Sequence, residues 1–201
     1  VSLPAAASAG FTPAQRTTLD AALARLIPTD GPGDWSAADL GAGDYIERLL
    51  SGDGRIYAGG PMRAGFDDFR PMPRAKEMGW AEEIARLRDL YAEGLAELDR
   101  RAGGDFAAVP AEAQDAILTT MDLEGSGFFR ELFAHTMEGV YSHPVYGGNR
   151  GYRAWKDLCY EGDVHGVRFP GTGDPQAAWN VHGGYAPQEM AQPGSCPEPQ
   201  E

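Results

Sequence analysis

The chain has 201 residues, 42% of them hydrophobic, a length that supports one full-sized domain better than two independent cores. Thirty acidic residues against 17 basic ones give a net charge of -13, which opposes binding to nucleic acid and to anionic lipid. No apolar run approaches the roughly 18 residues that a membrane-spanning helix needs, so the composition predicts a soluble, acidic chain.

The first ten residues are mostly small and apolar and carry no charged side chain. Ala7-Ser8-Ala9 has the small-x-small form that signal peptidase accepts, so residues 1–11 are interpreted as a leader or the remnant of an export signal. A disordered alanine-rich leader of a cytosolic protein is the alternative. The expected location is therefore periplasmic or otherwise extracytoplasmic, and cytoplasmic if no export signal precedes residue 1.

Two helices are predicted in the N-terminal part. The first opens on a capping box formed by Thr12 and Gln15, has Pro13 at its first position and should end near Pro28. The second is predicted over about residues 39–50. The inward-facing residues of the pair are predicted to be Leu19, Leu23, Leu26, Ile27, Tyr45, Ile46, Leu49 and Leu50.

Three further helices are predicted over about residues 81–102, 110–125 and 127–141, from apolar residues that recur every three to four positions. Gly103-Gly104 is the expected stop of the first of these. The last has the broadest apolar surface, which predicts that it is the central helix of the bundle. This surface includes Phe128, Phe129, Leu132, Phe133, Thr136, Met137 and Val140.

Two long stretches show neither helical nor strand periodicity. Residues 54–79 are predicted to be a structured loop, and the aromatic residues in and next to it (Tyr57, Phe66, Phe69 and Trp80) are interpreted as packing anchors. Regular structure is predicted to end after Ser142, although many aromatic residues follow, and aromatics argue against free disorder. The predicted fold is therefore mainly α: an irregular helical domain over residues 12–162, with a long, mostly non-regular tail over residues 163–201. The tail is expected to lie on a surface, either that of this chain or that of a partner, and the partner is the favoured interpretation.

His135 and Glu138 lie three residues apart on a predicted helix, and His143 follows just beyond its end. Histidine and carboxylate side chains at this spacing can bind one metal ion. The pattern is also common by chance, so capping and hydrogen-bonding roles compete with a metal site. A stand-alone metal-binding protein or enzyme that uses these three residues is one alternative function.

Cys159 and Cys196 are the only cysteines, which is too few for a disulfide framework or a C-x-x-C motif. Three possibilities stay open: a disulfide between the two, a disulfide to a partner, or two free thiols. Both are disulfide candidates if the chain is exported.

Residues 138–150 form the most informative segment. The chain leaves an apolar helix, breaks at Pro144 and enters a glycine pair, for which positive φ angles and close backbone approach are expected. Neither a nucleophile elbow nor a phosphate loop is present. Aromatic and amide groups beside one fixed backbone path favour docking to another protein. The predicted docking residues are Tyr141, His143, Pro144, Tyr146, Gly147, Gly148, Asn149 and Trp155, together with Trp179 and Tyr185 in the tail.

A carbohydrate-binding module that stacks sugars on Trp179 and Tyr185 is the second alternative function.

The same segment carries a resemblance to a known family. Phe11-Thr12-Pro13, residues 25–30, residues 44–46 and above all the string from Glu138-Gly139 to Trp155-Lys156 resemble the gluconate 2-dehydrogenase subunit 3 family, from about residue 11 to residue 162. The chain departs from the family pattern at Cys159-Tyr160-Glu161-Gly162, where the family usually has Gly-aromatic-Pro-Gly.

The resemblance implies a small, helical, non-catalytic subunit that holds no cofactor or metal itself. Its implied partner is a large FAD-containing dehydrogenase of the glucose-methanol-choline type, which oxidises a sugar, a polyol or a sugar acid. A multihaem cytochrome c is a possible third subunit. Family members commonly carry a twin-arginine export signal and act like chaperones, because they carry the folded flavoprotein across the membrane and support its maturation.

Overall fold

The computed structural model describes residues 10–29, 31, 34–52, 73–142 and 144–158. Within these ranges the regular structure is entirely helical, which confirms the predicted mainly-α class. The predictions for the leader up to residue 9, for residues 54–72, for both cysteines and for the tail concern residues outside these ranges. The six α-helices are α1 (Pro13–Leu26), α2 (Ala42–Leu50), α3 (Arg74–Arg101), α4 (Ala111–Leu123), α5 (Gly127–Tyr141) and α6 (Arg153–Asp157).

Helix α1 begins with the predicted capping box. The Thr12 hydroxyl accepts a hydrogen bond from the backbone N–H of Gln15 across 3.2 Å, and the Gln15 side chain accepts one from the backbone N–H of Thr12 across 3.0 Å. Two backbone donors that the first helical turn leaves free are thereby satisfied. Leu19, Ala22 and Leu23 point into the core.

Helix α2 begins three residues later than predicted. Asp39 accepts hydrogen bonds from the backbone N–H and the hydroxyl of Ser36, which stabilises a turn before the helix. Gly41 then has a left-handed backbone with φ of 79°, a conformation that interrupts a right-handed helix. The apolar periodicity at residues 45–50 gave no information on this turn.

Helix α3 begins at Arg74, so the prediction of a loop up to residue 79 was wrong for its last six residues. Residues 73–79 are all exposed and therefore carry no apolar stripe that could have indicated a helix. Trp80 is buried in the core as a packing anchor, as predicted. The helix ends before Gly103, whose φ of 80° confirms the predicted glycine stop.

Helix α5 is the central helix, because it packs against α1, α2, α3, α4 and α6. Its buried side includes Phe128, Leu132 and Val140. Phe133 and Met137 belong to the broad apolar surface predicted for this helix, but 46% and 36% of their surfaces are exposed. The apolar side of α5 is broader than the area that the other described helices cover, so the residues at its edge stay exposed.

The prediction that regular structure ends after Ser142 was also wrong. Two short 3-10 turns, Pro144–Tyr146 and Arg150–Tyr152, lead into α6. Residues with positive φ, among them Gly147 and Asn149, lie between and within these short helical turns. They interrupt the regular spacing of apolar residues by which a helix is recognised in a sequence. None of the helices in the described ranges is long and apolar enough to span a membrane.

Candidate functional site

Asn149 fixes the chain after α5 by hydrogen bonds on both sides. Its side-chain amide donates to the carbonyl oxygen of Ser142 across 3.0 Å, and its side-chain oxygen accepts from the backbone N–H of Ala154 across 3.1 Å. The side chain is completely buried and the backbone is left-handed with φ of 47°. Asparagine tolerates this conformation better than most residues, and buried amides need partners. Asn149 therefore joins the end of α5 to the beginning of α6.

The glycine pair before Asn149 packs directly on the backbone of two helices. A Cβ atom on Gly148 would lie 1.9 Å from the carbonyl oxygen of Gly139 on α5. Gly147 has φ of 115°, and a Cβ atom there would lie 3.1 Å from the backbone nitrogen of Tyr45 on α2. The predicted close backbone approach is thus confirmed for both glycines, and the predicted positive φ is confirmed for Gly147.

Arg150 connects this segment to the N-terminal helices. Its backbone N–H donates to the carbonyl oxygen of Leu40 across 3.1 Å, and its guanidinium group forms an ion pair with Asp44. Asp44 also pairs with Arg16 of α1 across 2.9 Å. Partial burial by itself would raise the pKa of Asp44, but hydrogen bonds from the two arginines outweigh it and hold that pKa below its ordinary value. Arg150 therefore binds the segment to α2 and to the turn before it, and Asp44 links this contact to Arg16 of α1.

Trp155 holds α6 against the end of α5. Its indole N–H donates to the carbonyl oxygen of Tyr141 across 2.7 Å, and only 6% of its surface is exposed. The ring lies 5.5 Å from the ring of Tyr152, which is also buried and has a left-handed backbone. The indole therefore satisfies one of the carbonyl groups that the end of α5 leaves free.

The predicted docking residues thus fall into two groups. Gly148, Asn149 and Trp155 are buried within this chain. Residues of the second group are partly exposed around them, where another protein could reach them: Tyr141, Pro144, Tyr146 and Gly147. His143, Trp179 and Tyr185 lie outside the described residues.

The two candidate metal ligands on α5 have protein partners instead. His135 is buried, and its Nδ1 lies 2.9 Å from the hydroxyl of Tyr91, with which it shares a hydrogen bond. The Glu138 carboxylate accepts a hydrogen bond from the Tyr45 hydroxyl across 2.8 Å. Hydrogen-bonding roles for both residues, which competed with the metal site, are therefore present, and no cluster of three potential ligands occurs in the ranges that the structure describes.

Burial and the neighbouring carboxylates shift the pKa values of His135 and Tyr45. Burial lowers the pKa of His135, although the carboxylates of Glu138, Glu131 and Glu83 oppose the effect. Burial and the adjacent carboxylate of Glu138 raise the pKa of Tyr45. Burial therefore favours the neutral form of both side chains.

Sequence reasoning missed three residues that build the segment: Gly139, Asp44 and Arg150. Arg150 and Asp44 are 106 positions apart, and no local pattern indicates which acid an arginine will meet. The one available signal was that Asp44 and Gly139 both occur in the strings on which the resemblance rests.

Fold and site together define a small helical scaffold whose irregular aromatic segment is fixed to the surface of its central helix. Comparison with family models identifies this scaffold: the chain belongs to the gluconate 2-dehydrogenase subunit 3 family, whose model matches residues 13–162. Membership implies that the chain is the small subunit of a gluconate 2-dehydrogenase-type complex and that it has a partner in that complex. Searches of curated proteins and of solved structures gave no significant match.

Proposed function

We propose that this chain is the non-catalytic subunit that binds and stabilises the FAD-containing large subunit of a dehydrogenase complex. The large subunit is of the glucose-methanol-choline type and oxidises CH–OH groups of a sugar, an alcohol or a sugar acid. The observation that carries the proposal is the family match over residues 13–162. FAD belongs to the large subunit, and haem c, where present, to a third subunit.

The geometry after α5 supports a docking role. The segment from Pro144 to Trp155 is anchored by hydrogen bonds to Ser142, Tyr141 and Leu40. A surface that is already fixed before binding loses little conformational entropy on association. We therefore assign the contact itself to the exposed parts of the second group and to His143, Trp179 and Tyr185, whereas Asn149 and Trp155 hold the segment in shape.

We also propose that the two subunits leave the cytoplasm together. A partner that folds around FAD before export needs a carrier that recognises its folded surface, and a rigid docking segment suits that task. The C-terminal residues 163–201 add aromatic anchors to the same contact in this proposal.

The test is to express the chain with and without the large flavoprotein and to analyse both preparations by size-exclusion chromatography at flavin wavelengths. A yellow heterodimer that oxidises a sugar or alcohol, beside a colourless lone chain, is the expected result. A chain that stays colourless and monomeric in the presence of the folded flavoprotein would refute the proposal. Periplasmic fractionation then tests export: flavoprotein should reach the periplasm only with its small subunit.

A further inference from the structure

Four apolar or aromatic residues follow one another along the outer margin of α5. Phe129, Phe133, Met137 and Tyr141 are spaced four apart, which places them on one side of the helix. The rings of Phe129 and Phe133 stack with their centroids 6.5 Å apart. Phe133 and Met137 are exposed, and the other two are half-buried. We call these four residues the α5 stripe.

The α5 stripe is unlike the other exposed apolar positions of the described ranges. Met78, Leu123 and Leu158 are exposed singly on three different helices or helix ends, which is common in monomeric proteins. Among the residues that the structure describes, only α5 has two large exposed hydrophobic side chains as successive members of one row. A contiguous patch marks an interface, and aromatic residues and methionine are the types enriched there.

The position of the stripe indicates what covers it. At the Tyr141 end of the stripe, Trp155 of α6 donates a hydrogen bond to the carbonyl oxygen of Tyr141. The last described residue, Leu158, directly follows α6. The remaining 43 residues (201 minus 158) therefore start beside this end of the stripe. From Phe129 to Tyr141 is 12 residues, or about 18 Å at the rise of an α-helix. The stripe shares Tyr141 with the proposed docking residues, so a subunit that binds the docking segment is within reach of the row.

We propose that the α5 stripe is a contact surface for the large flavoprotein subunit and that it receives an apolar, aromatic-rich face of that subunit. The inference rests on the proposed function, since it takes the large subunit as the partner. It adds an uncharged contact on α5 to the docking segment that follows α5. The side chains of Phe133 and Met137 form its centre.

The first experiment measures binding of the large flavoprotein to full-length variants of this chain. Phe133→Asp places a charge at the centre of the stripe and should weaken binding at least tenfold. Leu123→Asp is the matched control, because Leu123 is 83% exposed and lies outside the row, and it should bind like the parent chain. Circular dichroism confirms that both variants are folded.

The second experiment compares methionine oxidation in the isolated chain and in the complex. Met137 should oxidise several-fold more slowly in the complex, whereas in the isolated chain it should react at a rate similar to that of the exposed Met78. This readout does not depend on any substitution.

The outcomes separate the inference from the proposed function. A parent chain that does not bind the flavoprotein refutes the proposed function. If the parent binds, and Phe133→Asp binds equally well with Met137 unprotected, the stripe is not the contact and the inference is overturned. Protection of Met137 already in the isolated chain would also overturn it: a monomer by size exclusion would then indicate the chain's own C-terminal residues, and a dimer would indicate a second copy.

Discussion

Gly148 lies so close to Gly139 that a methyl group on Gly148 would be 1.9 Å from the Gly139 carbonyl oxygen. Gly139 in turn packs on α2, since a Cβ atom there would lie 3.0 Å from the Cα atom of Ala42. The backbones around Gly139 and Gly148, nine positions apart, and the distant backbone of Ala42 therefore pack on one another through Gly139. This contact, together with Asn149, determines where the segment after α5 lies.

Gly148→Ala should destabilise the protein strongly, because the obstructing atom belongs to backbone that cannot rotate away. We expect the free energy of unfolding to fall by about 3 kcal/mol. Urea denaturation followed by circular dichroism measures it. Gly79→Ala is the control: no atom lies within 4 Å of its added methyl group, and within a helix it should stabilise by up to about 1 kcal/mol. Equal stability of the two variants would contradict the close packing at Gly148.

Asn149→Ala should also lower the free energy of unfolding, by about 2 to 4 kcal/mol. It removes both side-chain hydrogen bonds and leaves the Ser142 carbonyl and the Ala154 N–H without that partner. Asn149→Gly loses the same bonds but tolerates the positive φ, so it should be less destabilising than Asn149→Ala. If both variants were as stable as the parent in urea denaturation, the hydrogen bonds of Asn149 would not hold the segment.

Trp155→Ala should act first on the stability of this chain. Removal of a buried tryptophan side chain typically costs about 3 to 5 kcal/mol. Trp155→Phe keeps most of the apolar volume but loses the donor to Tyr141, so it should cost clearly less. Binding of the flavoprotein to Trp155→Phe then tests whether the indole also matters for the complex. Unfolding curves identical to the parent for Trp155→Ala would refute its anchoring role.

The stability of the protein should fall as the pH drops below about 6.5 because of His135. Burial lowers its pKa in the folded state, so the unfolded chain takes up the proton first and is favoured as acid is added. Urea denaturation at about pH 7.5 and about pH 5.5 should show this loss, and His135→Gln should reduce it while keeping a polar partner for Tyr91. The other three histidines are unchanged in this variant, so an undiminished pH dependence would contradict the assignment to His135.

Local signals in the sequence predicted much of the helical framework. Thr12 and Gln15 are only three residues apart, and their capping box forms as the pattern indicated. The glycine pair correctly predicted close backbone approach, because glycine permits it and larger residues do not. Which backbone Gly148 would meet was not predictable, since Gly139 is brought to it only by the tertiary fold.

The errors have physical causes of their own. The first turns of α3 are exposed, so nothing in the pattern of apolar residues distinguished them from a loop. Phe133 and Met137 are apolar but exposed. A hydrophobic side chain in a sequence indicates a tendency to be buried, but it does not indicate whether the same chain or another molecule buries it. The assignment of the docking residues remains a prediction that the binding experiments above will decide.

The hydrogen bond from Arg150 to Leu40 joins two residues that are 110 positions apart in the chain. Helices α1 and α2 leave the ribosome long before their last partners are translated, and contacts between such remote residues form late in folding. A nascent chain shorter than 150 residues lacks the arginine that closes this contact. In the proposed complex, the flavoprotein can therefore bind a completed docking segment only on a small subunit whose synthesis has passed residue 150.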